Sequence, residues 1–511
     1  MKSGTANALS DVDYIYGYYP ELNPLRVQLA LLRRGLRWPS IGTACELGFG
    51  QGLAANLHAA ASTVTWWGTD FNPAQAAFAQ DLATASGVNA NFSDDAFVDF
   101  VKRPDLPQFD YICLHGIWSW ISDENRNAIV DFVRRKLRVG GVLYVSYNTL
   151  PGWAGFSPIR HLMVEHMRAL GTKEQGIMVT MEKALEFAEK FFSTNPVFKR
   201  HYPGVRDHLN HIKKENMHYL VHEYLSDNWN PLHFADVVNQ LQAAKVQYAC
   251  SASTLQDIDM LHFTPEQLGF LREISDPVFS QTARDFMINQ RFRRDYWIKG
   301  ARPMPAQEQT QHFRNQRVVL SSHRSNITLD VKGTLGKMPL KEKHYRPVID
   351  LMADHKPRTL GEIENLLRKD GISLAHLIEV MTVLAGIGHI GPAADDAAIE
   401  QATPTSKALN TFLLNKARSS TEISYLASPV LGGGVWVGQF EQLFLLSMQE
   451  GGKSPHDWAK AAWTIMAARG QRLMKDGAIM ARDEDNLAEL TLQAKEFAAK
   501  RLSSLQALKV A

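Results

Sequence analysis

The chain has 511 residues, 45% of them hydrophobic, enough to build several cored domains, and its formal net charge is +2. That near balance removes the electrostatic case for a nucleic-acid binder or a polybasic membrane anchor. Three cysteines, Cys45, Cys113 and Cys250, lie far apart without Cys-x-x-Cys spacing, no apolar run reaches the length of a membrane-spanning helix, and residues 1–11 carry no signal-peptide pattern, so a cytoplasmic protein without structural zinc is expected.

A tyrosine-rich arm comes first: Tyr14, Tyr16, Tyr18 and Tyr19. Residues 43–47 then read as a short strand carrying a carboxylate, Glu46, followed by alternating glycines Gly48, Gly50 and Gly52 and a helix-like run over 53–61. Glycines let backbone approach a ligand closely, and the helix start offers free N–H groups and a positive dipole end. Asp70 closes a second strand, where a ribose-binding carboxylate belongs in such a unit. Asn72 caps a helix over 73–86, and Gly87 stops it. A third short strand leads into Asp94-Asp95-Ala96-Phe97, and a fourth, over 109–114, ends at His115-Gly116. Ser122 caps a helix with acidic residues in its first turn and basic ones at its end; Gly140-Gly141 then turns the chain into a strand over 142–147 that ends at Asn148. This alternation predicts an α/β fold with a doubly wound parallel sheet. Such sheets bind ligands at the carboxyl ends of their strands, here Glu46, Asp70, Asp94, His115 and Asn148.

After Trp153 helical periodicity dominates to about residue 243, and a mixed segment follows to about 299. Residues 301–316, with Pro303, Pro305 and several amides, read as a linker. Three short amphipathic helices over 345–353, 359–369 and 373–385, then a turn into a strand, resemble a winged-helix domain, with too few basic residues to predict DNA binding. The last hundred residues are helix-rich around Gly432-Gly433-Gly434. The expected domains are 1–157, 158–315, 316–400 and 401–511. His201, His208, His211, His218 and His222 could share a helical face, yet no His-Glu-x-x-His motif or third ligand accompanies them, and no metal site is expected.

Gly50-Gln51-Gly52-Leu53-Ala54-Ala55 also fits the dinucleotide pattern Gly-x-Gly-x-x-Ala, and a glycine turn that binds nothing is the plain alternative. The acid before the first glycine suits a cationic ligand better than a pyrophosphate. The acid-small-aromatic turn after strand three suits an adenine amino group. Together these motifs resemble a class I methyltransferase. The resemblance implies S-adenosylmethionine as cofactor, with Gly48, Gly50 and Gly52 beneath its methionine part and Glu46 near its ammonium. It places Asp70 on the ribose, Phe71 against adenine, and Asp94 or Asp95, in the turn with Ala96, at the adenine amino group. His115 would contact the ligand or accept a proton, or simply position its turn.

The whole chain is similar to bacterial protein-lysine methyltransferases that carry a methyltransferase regulatory domain, of the type that modifies rickettsial outer-membrane proteins. The signs are the segment 14–21, the turn Tyr147-Asn148-Thr149-Leu150-Pro151-Gly152-Trp153, the run His222-Glu223-Tyr224-Leu225 with Asn230-Pro231 and Phe234, and Leu426-Ala427-Ser428-Pro429-Val430. The resemblance implies a Rossmann-like cofactor domain, a helical middle domain, a winged-helix-like and helical C-terminal region, a protein substrate such as an outer-membrane protein before export, and a homodimer. A lysine nucleophile, whose ammonium ordinarily titrates at about 10.4, must lose its proton, and aromatic walls would desolvate it. Tyr14 and Tyr18 from the arm, Trp118 after strand four, and Tyr147 and Asn148 at strand five are the candidate catalytic residues. The turn after Asn148 departs from the Asn-Pro-Pro-Tyr of some relatives. A small-molecule or lipid-linked sugar methyltransferase, and an inactive cofactor-binding regulator, are the alternatives.

Overall fold

The computed structural model describes residues 14–171, 176–226 and 228–511. The targeting expectation rests on residues 1–11, which lie outside them. Among the described residues a seven-stranded sheet forms the centre, in the order β3-β2-β1-β4-β5-β7-β6. Its strands are β1 (Thr43–Leu47), β2 (Thr65–Thr69), β3 (Ala90–Ser93), β4 (Phe109–Leu114), β5 (Leu137–Asn148), β6 (Gln247–Ser251) and β7 (Phe292–Ile298). The first five are parallel, as the strand–helix rhythm predicts, while β7 runs antiparallel between β5 and β6. All six residues of β4 are buried, and apart from Asp110 near its start the strand is apolar and aromatic.

Residues 1–157, expected to hold the whole cofactor-binding fold, hold five of its seven strands. The other two arrive only after a helical insertion that includes Ser157–Leu170, Ile177–Ser193, Val197–His201, Gly204–Ile212 and Met217–Leu225. That insertion has its own core, in which Trp153, Phe156, Phe192, Leu220 and Tyr224 meet the fully buried Met163 and Met181. The segment Phe-Arg-Arg-Asp-Tyr-Trp-Ile of β7 carries three charges yet is paired on both sides, between β5 and β6. Arg293 donates to Asp285 and to Asp295, each at 2.8 Å, and Asp295 also accepts from the Tyr147 hydroxyl at 2.8 Å. Charges buried this deeply persist because each finds partners.

Residues 301–316, expected as a linker, contain the helix Ala306–Asn315, and Phe313 is buried in the core of the following domain. Its polar surface and the flanking prolines conceal it in the sequence. Helices Glu342–Leu351, Leu360–Leu366 and Leu374–Gly386 match the three amphipathic segments, and the predicted Thr359–Glu362 capping box is present. They pack with a small antiparallel sheet of Arg358–Thr359, Arg317–Leu320 and Ile390–Pro392. The C-terminal helices close over Leu53–Ala60, a helix whose eight residues are all buried. Thr405 and Ser406 donate to the Ala60 carbonyl at 2.8 and 2.9 Å, fixing that contact. Among the described residues no helix is long and apolar enough to cross a membrane.

Candidate functional site

The carboxyl ends of the parallel strands bring together most of the residues singled out above. Glu46, near the end of β1, is 1% exposed, and its Oε2 is buried without a hydrogen-bond partner among the described residues. Burial first, and the neighbouring Asp70 second, push its carboxyl up to about 8. Asp70 follows β2. Its Oδ2 accepts from the Gly50 amide at 2.8 Å and its Oδ1 from the Asn72 amide at 3.1 Å. Burial raises it to about 6 against the pull of those two bonds.

The alternating glycines do different work. Gly50 has φ +57°, and a Cβ there would lie 3.1 Å from the Tyr14 ring. Gly52 has φ +68°, and a Cβ there would collide with the Ala79 Cβ, so this position serves helix packing. Gly48 also has positive φ, facing Ile117 and Phe97. Phe71 stands at the rim, 65% exposed. Asp94 is exposed, whereas Asp95 pairs with Arg103 at 3.0 Å and its carbonyl accepts from the Thr69 hydroxyl. Ala96, exposed, precedes the short helix Phe97–Phe100.

The arm folds back over this loop. The Tyr14 ring lies against Gly50 and meets the His222 ring edge-on at 5.1 Å, while its carbonyl accepts from Gln51 Nε2 at 3.3 Å. Burial pushes the Tyr14 hydroxyl up to about 12, helped by the charges of Glu223 and Asp70. Its hydroxyl is hydrogen-bonded to Tyr19, whose ring stacks on His115 at 3.6 Å. Nδ1 of His115 is 2.8 Å from the Tyr144 hydroxyl. Burial, with Arg294 nearby, lowers His115 to about 3, so it is a neutral ring at the tip of β4. Asn148, 2% exposed, ends β5 with its amide donating to Glu223 Oε1 at 3.2 Å.

Three expected residues are not brought to this cleft. Tyr18 turns the other way, 5.2 Å from the His58 ring and 4.9 Å from Tyr425, with its ring over Gly433 and Gly434. Trp118 is fully buried, donating to Gln240 at 2.8 Å, and Tyr147 is fully buried against Asp295. Strand alternation accounts for Tyr147: it shares a core face with Val145, while Ser146 and Asn148 point to the other. Sequence reasoning gave Glu223 no chemical role: it entered only as part of the family-like run His222-Glu223-Tyr224-Leu225, an acid among apolar and aromatic residues.

The residues fit a sulfonium nucleoside. An orphaned buried carboxylate answers an ammonium, a glycine loop presents bare backbone with the Tyr14 ring lying over it, and an acid with an exposed ring beside it stands at the second strand tip. No group of three or more metal-ligating side chains occurs among the described residues.

Residues 44–141 match the family described as "Methyltransferase domain", and residues 216–299 match "Predicted methyltransferase regulatory domain". The uncharacterised protein sll1526 of Synechocystis is 35% identical over 503 residues, 98% of this chain and 98% of its own. The uncharacterised protein RP789 of Rickettsia prowazekii is 27% identical over 294 residues, 56% of this chain and 52% of its own. Among solved structures, PKMT2 from Rickettsia typhi in complex with AdoHcy shares the fold, with a TM-score of 0.71 at 18% identity over 97% of this chain and 99% of its own. Glycine loop, strand-tip acids, sheet order and full-length likeness agree, and the chain belongs to the S-adenosylmethionine-dependent class I methyltransferases that carry a methyltransferase regulatory domain.

Proposed function

We propose that this enzyme methylates lysine side chains of a protein substrate. The observation that carries the reading is the acceptor wall: Asn148 at the end of β5 and Glu223 from the regulatory segment are both buried and hydrogen-bonded to each other, and Tyr14 bridges from the helix of Glu223 to the glycine loop. An acid and an amide suit an ammonium-bearing chain better than a hydroxyl or a carbon nucleophile. The likeness to R. typhi PKMT2, solved with AdoHcy, supports the same direction.

When bound, the cofactor supplies a methyl group already activated by a sulfonium. The protein's part is placement and exclusion of water. Glu46 would bind the cofactor's ammonium, the Gly48–Gly52 loop its methionine backbone, Asp70 its ribose, and Phe71 with Asp94 its adenine. Tyr14 and Tyr19 cover the loop and present ring faces and edges to a cationic product. Aligning an amine in line with the methyl supplies on the order of 7 kcal/mol of barrier reduction in favourable cases.

The test is mass spectrometry after incubating the purified enzyme, methyl-labelled donor and bacterial extract. Methyl-lysine in protein digests is the expected result. Label confined to soluble or lipid fractions would favour the small-molecule reading. Adenosylhomocysteine binding with no transfer to anything would favour an inactive regulator.

A further inference from the structure

The regulatory segment contributes a carboxylate that the cofactor-binding motifs do not use. Glu223 lies on the helix Met217–Leu225 of the insertion, 8% exposed, and reaches Asn148 at the tip of β5. The adjacent His222 touches the ring of Tyr14, and Tyr14 touches the glycine loop. Tyr14 therefore spans the gap between the cofactor loop and this helix, and it feels the charges of Asp70 and Glu223 together. The two cations that face Glu223 are engaged by other groups as well. Arg160 stacks on Trp229 at 4.5 Å and donates to the Ser226 carbonyl. Arg291 lies over Trp153 at 5.0 Å and is 2.9 Å from the His208 ring nitrogens.

We propose that Glu223 is the amine receptor of this enzyme: it binds the ammonium of the acceptor side chain, takes one proton from it, and so generates the nucleophile. This rests on the amine-methylating reading above. Glu223 as carboxylate accepts a proton from R–NH3⁺, giving R–NH2 and a neutral carboxyl. The amine lone pair then forms the N–CH3 bond while the C–S bond breaks. Its electron pair stays on sulfur, and the product leaves as R–NH2CH3⁺ with adenosylhomocysteine. The proton on Glu223 returns to solvent before the next turnover.

The local chemistry suits the role. Burial raises Glu223 to about 7, opposed by the Asn148 hydrogen bond and then by the Arg160 and Arg291 charges. The other titratable groups around it are Tyr14 from the arm, and Tyr219 and Tyr224 on its own helix, all three held protonated by burial. A base near neutrality matches the pH at which it must both accept and release a proton. Asn148 is the positioning residue, holding one carboxylate oxygen while the amine approaches the other.

A binding experiment on the full chain reads this without a protein substrate. Sinefungin carries an ammonium-bearing carbon where the donor carries its methylated sulfonium, so its affinity relative to adenosylhomocysteine reports a negative partner on the acceptor side. At pH 8 the wild type is expected to favour sinefungin by roughly tenfold or more, as a desolvated charge pair does. Glu223→Gln should bring that ratio to about one, with adenosylhomocysteine affinity unchanged and melting temperature no lower than that of the wild type, and Glu223→Asp should recover part of it. Methyl incorporation into extract proteins by Glu223→Gln should fall by about 100-fold and lack the rise with pH through about 7 that is expected of the wild type. An equal sinefungin ratio in wild type and Glu223→Gln, or an unchanged rate and pH profile, would overturn the assignment. A Glu223-dependent ratio without methyl-lysine in any product would retain the amine receptor and retire the protein-lysine reading.

Discussion

The two ends of the central sheet are built on opposite principles. At the amino edge, Asp110 is buried and fully matched: its Oδ2 accepts from the Gly42 and Thr43 amides, each at 3.0 Å, and its Oδ1 from Arg138 at 2.6 Å. A cavity of about 570 Å³ opens at that edge beside Trp38, Ser62 and His312, where Arg37 is already paired with Glu308. At the carboxyl edge the space is taken by Tyr14 and Tyr19, yet Glu46 is left without a partner, and burial raises Glu46, Asp70 and Glu223 alike. Free volume marks one edge and an unmatched buried carboxyl, that of Glu46, the other. The second is the better guide to a ligand, because a buried unmatched carboxylate is costly unless something binds it.

The sharpest way to break this contrast is Gly50→Val. Positive φ and the nearby Tyr14 ring leave no room for a branched side chain, and adenosylhomocysteine affinity should fall by at least about 100-fold in calorimetry. Near-normal binding would remove the loop from the cofactor site. Glu46→Gln should weaken binding by roughly 10- to 100-fold while stabilising the cofactor-free protein. The sign follows from its raised folded-state value, about 8 against 4.5: the native state holds the proton more tightly, so stability is unaffected below about 4.5 and declines as pH rises to about 8. Denaturation midpoints at pH 5.5 and 8.5 should therefore diverge by less in Glu46→Gln than in the wild type. An undiminished difference would place the pH dependence elsewhere. At the other edge, Asp110→Asn removes a charge that is answered, and it should cost about 1–3 kcal/mol in chemical denaturation while leaving adenosylhomocysteine affinity unchanged. The smallest effect belongs to the cavity: Gln28→Ala, on its wall, should leave methyl transfer within about twofold of wild type, because lining space carries no unmatched charge.

The parts legible in the sequence are those whose partners are near in the chain. The glycine loop, Asp70 and the helix caps declare themselves within a few residues, because backbone conformation and local hydrogen bonds dictate them. The strand β7 does not, since the charges of Arg293 and Asp295 argue for a surface and only the folded sheet lets them neutralise one another. Tyr18 and Tyr14 are alike in the sequence, yet the arm's path sends one ring to Gly433-Gly434 and the other to Gly50. The pairing of Glu223 with Asn148 joins positions 75 apart, and no local pattern announces it.

The late arrival of β7 bears on how this chain is made. β5 leaves the ribosome long before the strand that will cover its free edge, on the order of ten seconds at ordinary translation rates. Throughout that interval an apolar, unpaired strand edge is open to the wrong neighbour. The insertion helices emerge in the same window and can condense around their own core. A nascent chain halted within them would be the most aggregation-prone length of this protein, and a chaperone would meet it there.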